Sequence, residues 1–200
     1  TNILVTSKPR CSMRKSALTF DTDWAPDWCI EICVDLCRKS RFPATFFFTH
    51  ESDIISDLLK DPLFEVGIHP NFLPRSSHGN TIDEIMSFCL EIVPTAQSMR
   101  THALVQSSIM FAHIADTYPS IKTDVSLLLP SHDRLTPTEL FIGNSNRKLI
   151  RIPYFWEDDI HCLYRSTETI HSLVKKAGLK VFDFHPIHVF INTENLNRYE

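Results

Sequence analysis

The stretch ALTFDTDW at residues 17–24 decides how the rest of the chain is interpreted. Its apolar half predicts a β-strand at 16–20, and Asp21 and Asp23 follow at the carboxyl end of that strand. α/β sheets build their sites at this end, and two nearby carboxylates repel each other unless a cation or a retained proton intervenes. The pair therefore indicates a metal site, a general base or both. The alternative is a solvated turn in which Asp23 or Asp27 caps the next helix.

Short apolar segments alternate with helix-like patterns along most of the chain. Seven strands are predicted, at 16–20, 44–48, 64–68, 98–103, 123–128, 149–152 and 180–184. Five helices are predicted between them, at 27–39, 52–60, 81–92, 107–117 and 166–177. Such alternation is typical of an α/β fold with a mainly parallel sheet covered by helices. About seven strands fit either a doubly wound sheet or an incomplete barrel, and periodicity does not choose between them.

Polar side chains that can bind a metal or move a proton follow several of these strands. Each one alone is more readily explained as a structural histidine, a surface ion pair or a helix cap. Because the carboxyl ends of the strands meet at one rim of the sheet, we expect them to converge. Carboxylates, imidazoles and a guanidinium together suit a divalent-metal hydrolase, since zinc takes such ligands and leaves a position for water. The residues concerned are His69, Arg100, His102, Asp158, Asp159 and His185.

Composition limits the classes of function. The formal charge is −4 with no basic stripe, so nothing predicts a nucleic-acid partner. No apolar run is long enough for a transmembrane segment, and the N-terminal residues lack the layout of a signal peptide. The 200 residues predict a single domain over 1–200. The six cysteines imply no disulfide framework, so a reducing, cytoplasmic location is expected. The oligomeric state is left open.

Cys29, Cys33 and Cys37 recur every four residues, which places them on one face of a predicted helix. This spacing could mimic a thiolate metal site, but zinc cysteines usually come in closer pairs with partners on separate loops. We therefore expect these thiols to pack in the core. A thiol-based enzyme is a poorer hypothesis, since burial raises rather than lowers a thiol pKa.

Several motifs resemble those of the polysaccharide deacetylases, the NodB-homology fold of carbohydrate esterase family 4, over about residues 16–190. TFDTD from position 19 and ATFF from position 44 are similar to the opening of that family, and EVGIH from position 65 to the approach to its first metal histidine. Arg100 and His185 stand where its later motifs place an arginine and a histidine. The phrases FDTDWAPD, GIHPNF and FHPIH resemble a subgroup from bacterial surface-polysaccharide loci.

The resemblance implies a distorted (β/α) barrel of about seven strands and one divalent metal ion, with zinc as the first choice. Asp23 and His69 would be metal ligands, and Asp21 would be the general base. The resemblance further implies that Arg100 orients Asp21 and that His185 is the general acid. Asp158 or Asp159 would keep His185 in its charged form, and Asp159 is the predicted residue. Trp24 and Trp156 would contact the substrate.

The third metal ligand is where this sequence departs from the family. The usual second histidine lies four residues after the first, and Leu73 occupies that position. His78 is the nearest replacement, provided that 70–77 bulges outward, and it is the predicted ligand. Asn71 is the other candidate, a poorer ligand for zinc. His102 could be a structural or a site residue.

The leading hypothesis is a metal-dependent hydrolase that removes an N-acetyl group from a sugar or polysaccharide precursor, with metal-bound water as the nucleophile. It would act on a linear amide C–N bond. Two alternatives are kept: a non-catalytic carbohydrate-binding or assembly protein on the same fold, and a hydrolase of an amide C–N bond outside sugars.

Overall fold

A computed structural model describes residues 15–130, 132, 134–143, 147–164 and 167–193. The strands within these ranges are β1 (Lys15–Asp21), β2 (Ala44–Phe48), β3 (Phe64–Ile68), β4 (Ser98–Met99), β5 (Thr123–Leu128), β6 (Thr138–Phe141), β7 (Lys148–Tyr154), β8 (Trp156–Glu157) and β9 (Leu179–Phe184). The helices are α1 (Asp27–Ser40), α2 (Ile55–Leu58), α3 (Ile82–Ile92), α4 (Ser108–Thr117), α5 (Asp158–Leu163), α6 (Ile170–Leu173) and α7 (Pro186–Ile191). A 3₁₀ turn lies at His102–Leu104.

The strands form one mixed sheet in the order β6-β7-β5-β4-β3-β2-β1-β9-β8. All neighbouring strands are parallel except β6, which runs antiparallel to β7. The predicted α/β class is therefore confirmed. The expected barrel of about seven strands is not confirmed, because the described strands number nine and their order ends at β6 and β8 without closing. β6 lies between the strands predicted at 123–128 and 149–152, where no element is predicted.

β1 lies inside the sheet between β2 and β9, and its side chains alternate between two environments. Phe20 faces the core beneath α1 and stacks on Phe46, with 4.6 Å between the ring centroids. Thr19 faces the opposite side, where its Oγ1 lies 2.8 Å from Asp183 Oδ1 of β9. Since a strand alternates its side chains with a period of two, Asp21 shares the polar side with Thr19.

The core beneath the helices contains the cysteines of α1, as predicted from their spacing. Cys29 and Cys33 are fully buried, and Cys37 is nearly so. Burial raises the pKa of all three thiols. They therefore act as small apolar side chains and are not available as nucleophiles.

Neither acid proposed as a cap caps α1. The N-cap is Pro26, without a side-chain hydrogen bond. Asp27 is the first helical residue, and its carboxylate instead accepts hydrogen bonds from Ser52 Oγ at 2.7 Å and Asp53 N at 3.2 Å. Asp23 has left-handed backbone, with φ 42°. The solvated-turn interpretation of Asp23 is not realised.

Other differences from the predicted elements concern short segments. The strand predicted at 98–103 pairs only at Ser98–Met99, because the chain turns away after Arg100. The helices predicted at 52–60 and 166–177 are reduced to α2 and α6, with 165–166 outside the described residues. The sequence does not predict β6, β8, α5 or α7, since two to six residues contain too few repeats of a period. Among the described ranges, no helix has the length and apolar character needed to span a membrane.

Candidate functional site

A strained turn after β1 places Asp21 and Asp23 at the carboxyl edge of the sheet. Asp23 and Trp24 both have left-handed backbone, with φ 42° and 58°, which costs about 1–3 kcal/mol for each such residue. Hydrogen bonds with Thr49, the residue after β2, hold this shape: Trp24 N donates to Thr49 Oγ1 at 3.0 Å, and Thr49 N donates to Thr22 Oγ1 at 3.2 Å. Strain retained in this way is typical of functional sites.

Three side chains from the ends of three strands meet beside this turn: Asp23 after β1, His69 after β3 and His102 after β4. Asp23 Oδ1 lies 3.2 Å from His69 Nε2 and 3.0 Å from His102 Nδ1. The two histidine nitrogens are 3.3 Å apart, and the three ligand atoms lie within 4.8 Å of one another. One carboxylate and two imidazoles form a donor set that suits a catalytic divalent ion. These residues therefore fit the metal that the resemblance implies.

The charge state of this group also suits a metal. Burial on its own would raise the pKa of Asp23, but hydrogen bonds from His102 and His69 hold that pKa well below its usual range. Burial lowers the pKa of His69. Metal ligands must be an ionised carboxylate and neutral imidazoles, and both pKa shifts favour that form.

His78, the third ligand predicted from sequence, does not belong to this group. Its Nδ1 accepts a hydrogen bond from Asn71 N at 3.2 Å and lies 3.4 Å from Cys89 Sγ. Asn71, the alternative ligand, uses its Oδ1 to accept from Leu73 N at 3.0 Å. The imidazole of His78 and the amide of Asn71 therefore both bind the backbone of the loop after β3. His102, left open by the sequence, occupies the third corner instead.

Arg100 is fully buried and pairs with two carboxylates. Its Nη1 donates to Asp21 Oδ1 at 2.9 Å and also to Asp183 Oδ1, while Nη2 donates to Thr19 Oγ1 at 2.9 Å. The expected contact between Arg100 and Asp21 is thus present. Burial raises the pKa of Asp21, and the positive charge of Arg100 opposes that rise. Asp21 also lies 3.6 Å from His69 Nδ1, beside the metal-ligand group.

His185 follows β9 and binds Asp158 through two hydrogen bonds. Its Nδ1 lies 2.7 Å from Asp158 Oδ1, and its backbone N donates to Oδ2 at 2.8 Å. Its Nε2 lies 3.5 Å from Asp23 Oδ2 and so faces the site. Burial would lower the pKa of His185, but the hydrogen bond to Asp158 and the charges of Asp158, Asp183 and Asp21 raise it well above the usual value. These contacts favour the protonated imidazole.

Asp159, the acid chosen from sequence, does not contact His185. Its Oδ1 accepts a hydrogen bond from Ile160 N within the same helix. α5 begins at Asp158, and successive residues of a helix point roughly 100° apart. Only the first of the two acids can therefore face β9.

The two predicted substrate-contacting tryptophans lie in different places. Trp24 is 42% exposed, and its ring lies 5.2 Å from that of His102, at the rim of the site. Trp156 packs against Phe182 and Phe184, with centroid distances of 6.0 and 4.9 Å. Those phenylalanines lie on the face of β9 opposite Asp183, and Trp156 lines a separate cavity of about 460 Å³ there. The structure does not bring Trp156 to the Asp23 group.

Two residues of the site were missed or left open by sequence reasoning. His102 carries the signal shared by the other candidates, a position just after a strand, but nothing local distinguishes it from a structural histidine. Asp183 lies between two phenylalanines in β9, so the period of two places it opposite them. Its pairing with Arg100 depends on which strands become neighbours, which that pattern does not encode.

Comparison with known proteins adds an independent line of evidence. A family model described as WbmS-like polysaccharide deacetylase matches residues 18–200. The chain is also similar to a crystal structure of WbmS from Bordetella bronchiseptica, described as a candidate polysaccharide deacetylase involved in O-antigen biosynthesis. The two are 35% identical, the match covers 92% of this chain and 76% of that one, and the TM-score is 0.82. No curated protein matches the chain.

Proposed function

The chain belongs to the WbmS-like polysaccharide deacetylase family, and on this premise we propose that it removes the N-acetyl group from a sugar of a bacterial surface polysaccharide or its precursor. Water cleaves the amide C–N bond and yields acetate and the free amino sugar. The observation that carries the proposal is the meeting of Asp23, His69 and His102 beside Asp21 and His185. WbmS is described as involved in O-antigen biosynthesis, which makes N-acetylated sugars and nucleotide-sugars the substrates of choice.

Asp23, His69 and His102 would hold the divalent ion, with zinc favoured by two imidazoles and a carboxylate. When bound, such an ion polarises a carbonyl oxygen and lowers the pKa of water. The buried position of His69 and the partly buried positions of Asp23 and His102 limit competing water.

Asp21 is the general base of the proposed reaction and accepts a proton from the attacking water. Its raised pKa makes it a stronger base than an exposed aspartate. Arg100 fixes the carboxylate through the hydrogen bond from Nη1 to Oδ1, so the other oxygen is left for the proton.

His185 is the general acid and donates its Nε2 proton to the leaving nitrogen. The bond from Nδ1 to Asp158 fixes the ring and stabilises the imidazolium. The sugar nitrogen departs as an amine, since protonation prevents expulsion of an amide anion.

Acetate release from N-acetylated sugars and nucleotide-sugars by the zinc-loaded protein tests the proposal. We expect Asp21→Asn to lower kcat by roughly 10²- to 10⁴-fold, because an amide cannot accept the proton. The matched control is Asp27→Asn, which changes an acid that contacts only Ser52 and Asp53 among its described hydrogen bonds. Equal activity of wild type and Asp21→Asn, or no activity in wild type on the whole panel, would contradict the assignment.

Zinc affinity separates the ligand set seen in the structure from the one predicted from sequence. We expect His102→Ala to lose tight zinc binding and His78→Ala to keep it, measured by chelator competition and by metal content after dialysis. Circular dichroism checks that both variants are folded. The reverse result would restore His78 as the ligand. A wild-type protein that binds N-acetylated sugars but no zinc would favour the non-catalytic alternative.

A further inference from the structure

His102 lies on a tight turn between β4 and α4 whose backbone is unusual. The next two residues, Ala103 and Leu104, have left-handed φ angles of 50° and 54°. Residues other than glycine adopt this conformation only where their surroundings impose it. The turn is also tied to the loop after β3, since His102 N donates to Pro70 O at 2.9 Å. The position of the imidazole therefore depends on how the turn is held.

The turn is held at both ends by one polar network built on the buried carboxylate of Asp124. At its start, Thr101 N donates to Ser126 Oγ at 2.9 Å, and Ser126 Oγ donates to Asp124 Oδ1 at 2.6 Å. At its end, Gln106 Nε2 donates to Ser126 O at 2.9 Å, and Gln106 Oε1 accepts from Arg151 Nη2 at 2.6 Å. Arg151 Nε donates to Asp124 Oδ2 at 2.8 Å and completes the network.

We propose that this Asp124 network, made of Gln106, Asp124, Ser126 and Arg151, is a positioning device that fixes the His102 turn and so sets the metal affinity of the site. The proposal rests on the proposed function, in which His102 is a metal ligand. The network's hydrogen bonds end on both sides of Ala103 and Leu104, so they oppose relaxation of the two left-handed residues. Groups that support a metal ligand typically change affinity or activity by roughly 10- to 100-fold when they are removed.

The test uses Gln106→Ala, because Gln106 is exposed and its loss leaves the core intact. Wild type and variant are compared by zinc affinity in chelator competition and by the visible spectrum of the cobalt-loaded protein. We expect zinc affinity to fall roughly 10-fold and the cobalt spectrum to change, with the circular dichroism of the metal-free protein still that of the folded state. Gln106→Glu keeps the acceptor for Arg151 but not the donor to Ser126, and should give an intermediate affinity.

The matched control is Gln97→Ala, which removes another exposed glutamine whose Oε1 accepts from a basic side chain, Lys122 Nζ at 3.0 Å. It should bind zinc and cobalt as wild type does. If Gln106→Ala matches wild type in affinity and spectrum while His102→Ala has lost the ion, the network is only structural and the proposed function stands. If wild type itself binds no zinc or cobalt, both the network's role and the metal-dependent function are wrong.

Discussion

Arg100 lies between Asp21 and Asp183, so one guanidinium serves two buried carboxylates. Burial raises the pKa of Asp183 well above its usual value, and the charge of Arg100 only partly offsets this effect. A buried charge without a partner is costly, so Arg100 is required by both acids. A lysine could not replace it, since an ammonium lacks the planar fork that reaches two carboxylates and Thr19 at once.

The contact between Asp158 and His185 leads to a prediction about pH dependence. Asp158→Asn removes a negative charge that raises the pKa of His185, so that pKa should fall. Because a general acid must be protonated, the alkaline limb of the kcat profile should move to lower pH, with kcat at its optimum reduced. A pH series of acetate release measures both effects.

Asp159→Asn provides the control, since it changes the neighbouring acid whose carboxylate bonds to Ile160 N. Its alkaline limb should coincide with that of wild type. If the alkaline limb shifts in Asp159→Asn and not in Asp158→Asn, Asp159 is the acid that keeps His185 charged, as predicted from the sequence.

At the scale of elements, short turns and helix starts place the site, while the long helices cover the sheet. α3 begins with a capping box, in which Glu84 N donates to Thr81 Oγ1 at 3.2 Å and Thr81 N donates to Glu84 Oε2 at 3.1 Å. This cap ends the irregular segment 69–80, in which His78 is buried. The start of α3 is therefore an anchor of the loop after His69.

Thr81→Ala should lower the free energy of unfolding by about 0.5–2 kcal/mol, the usual cost of losing an N-cap side chain. Urea unfolding at neutral pH measures the change. Thr81→Ser keeps a hydroxyl at the same position and should remain close to wild type. Equal destabilisation by alanine and serine would show that the methyl group, rather than the cap, is responsible.

On the scale of the whole molecule, the end of β7 lies against β9 although the two strands are far apart in the strand order. Phe155 N, just after β7, donates to Val181 O of β9 at 2.8 Å, so distant parts of the strand order approach each other. Phe47, Val125, Tyr154 and Val181 form a small apolar cluster on this side. The Tyr154 ring lies 4.4 Å from the Arg100 guanidinium, and its hydroxyl donates to Glu157 Oε2 at 2.6 Å.

Glu157 makes stability depend on pH. Burial, together with the charges of Asp183 and Asp159, raises the pKa of Glu157 to about 9 in the folded protein, against about 4.3 in an unfolded chain. The unfolded state therefore releases this proton first, so stability falls as pH rises from about 5 towards 9. Glu157→Gln keeps an acceptor for Tyr154 and has no proton to lose.

The free energy of unfolding of Glu157→Gln should thus increase relative to wild type as pH rises from about 5.5 to 8.5. Urea titrations at several pH values give this difference directly, and effects of other groups cancel in it. Glu31→Gln, at an exposed position of α1, is the control for the loss of a carboxylate from the surface. A difference for Glu157→Gln that does not vary with pH would contradict the raised pKa.

Local patterns determined much of the fold. The bounds of β2, β3 and β5 are those predicted, and those of β1, β9, α1, α3 and α4 differ from the predictions by one residue at one or both ends. Period-two and helical patterns are properties of consecutive residues, so they can be recognised without knowledge of the partner elements. The single domain and the cytoplasmic location stay predictions.

By itself, the sequence determined the α/β class, the family, and the rim at which Asp21, Asp23, His69, Arg100 and His185 would meet. Only the tertiary structure placed His102 rather than His78 beside Asp23. It likewise placed Asp158 rather than Asp159 against His185. The physical reason is that sequence spacing shows which residues follow a strand, whereas the direction in which their side chains point depends on the conformation of the backbone. Left-handed residues after His102 and the first turn of α5 set that direction, and both are held by contacts with strands distant in sequence.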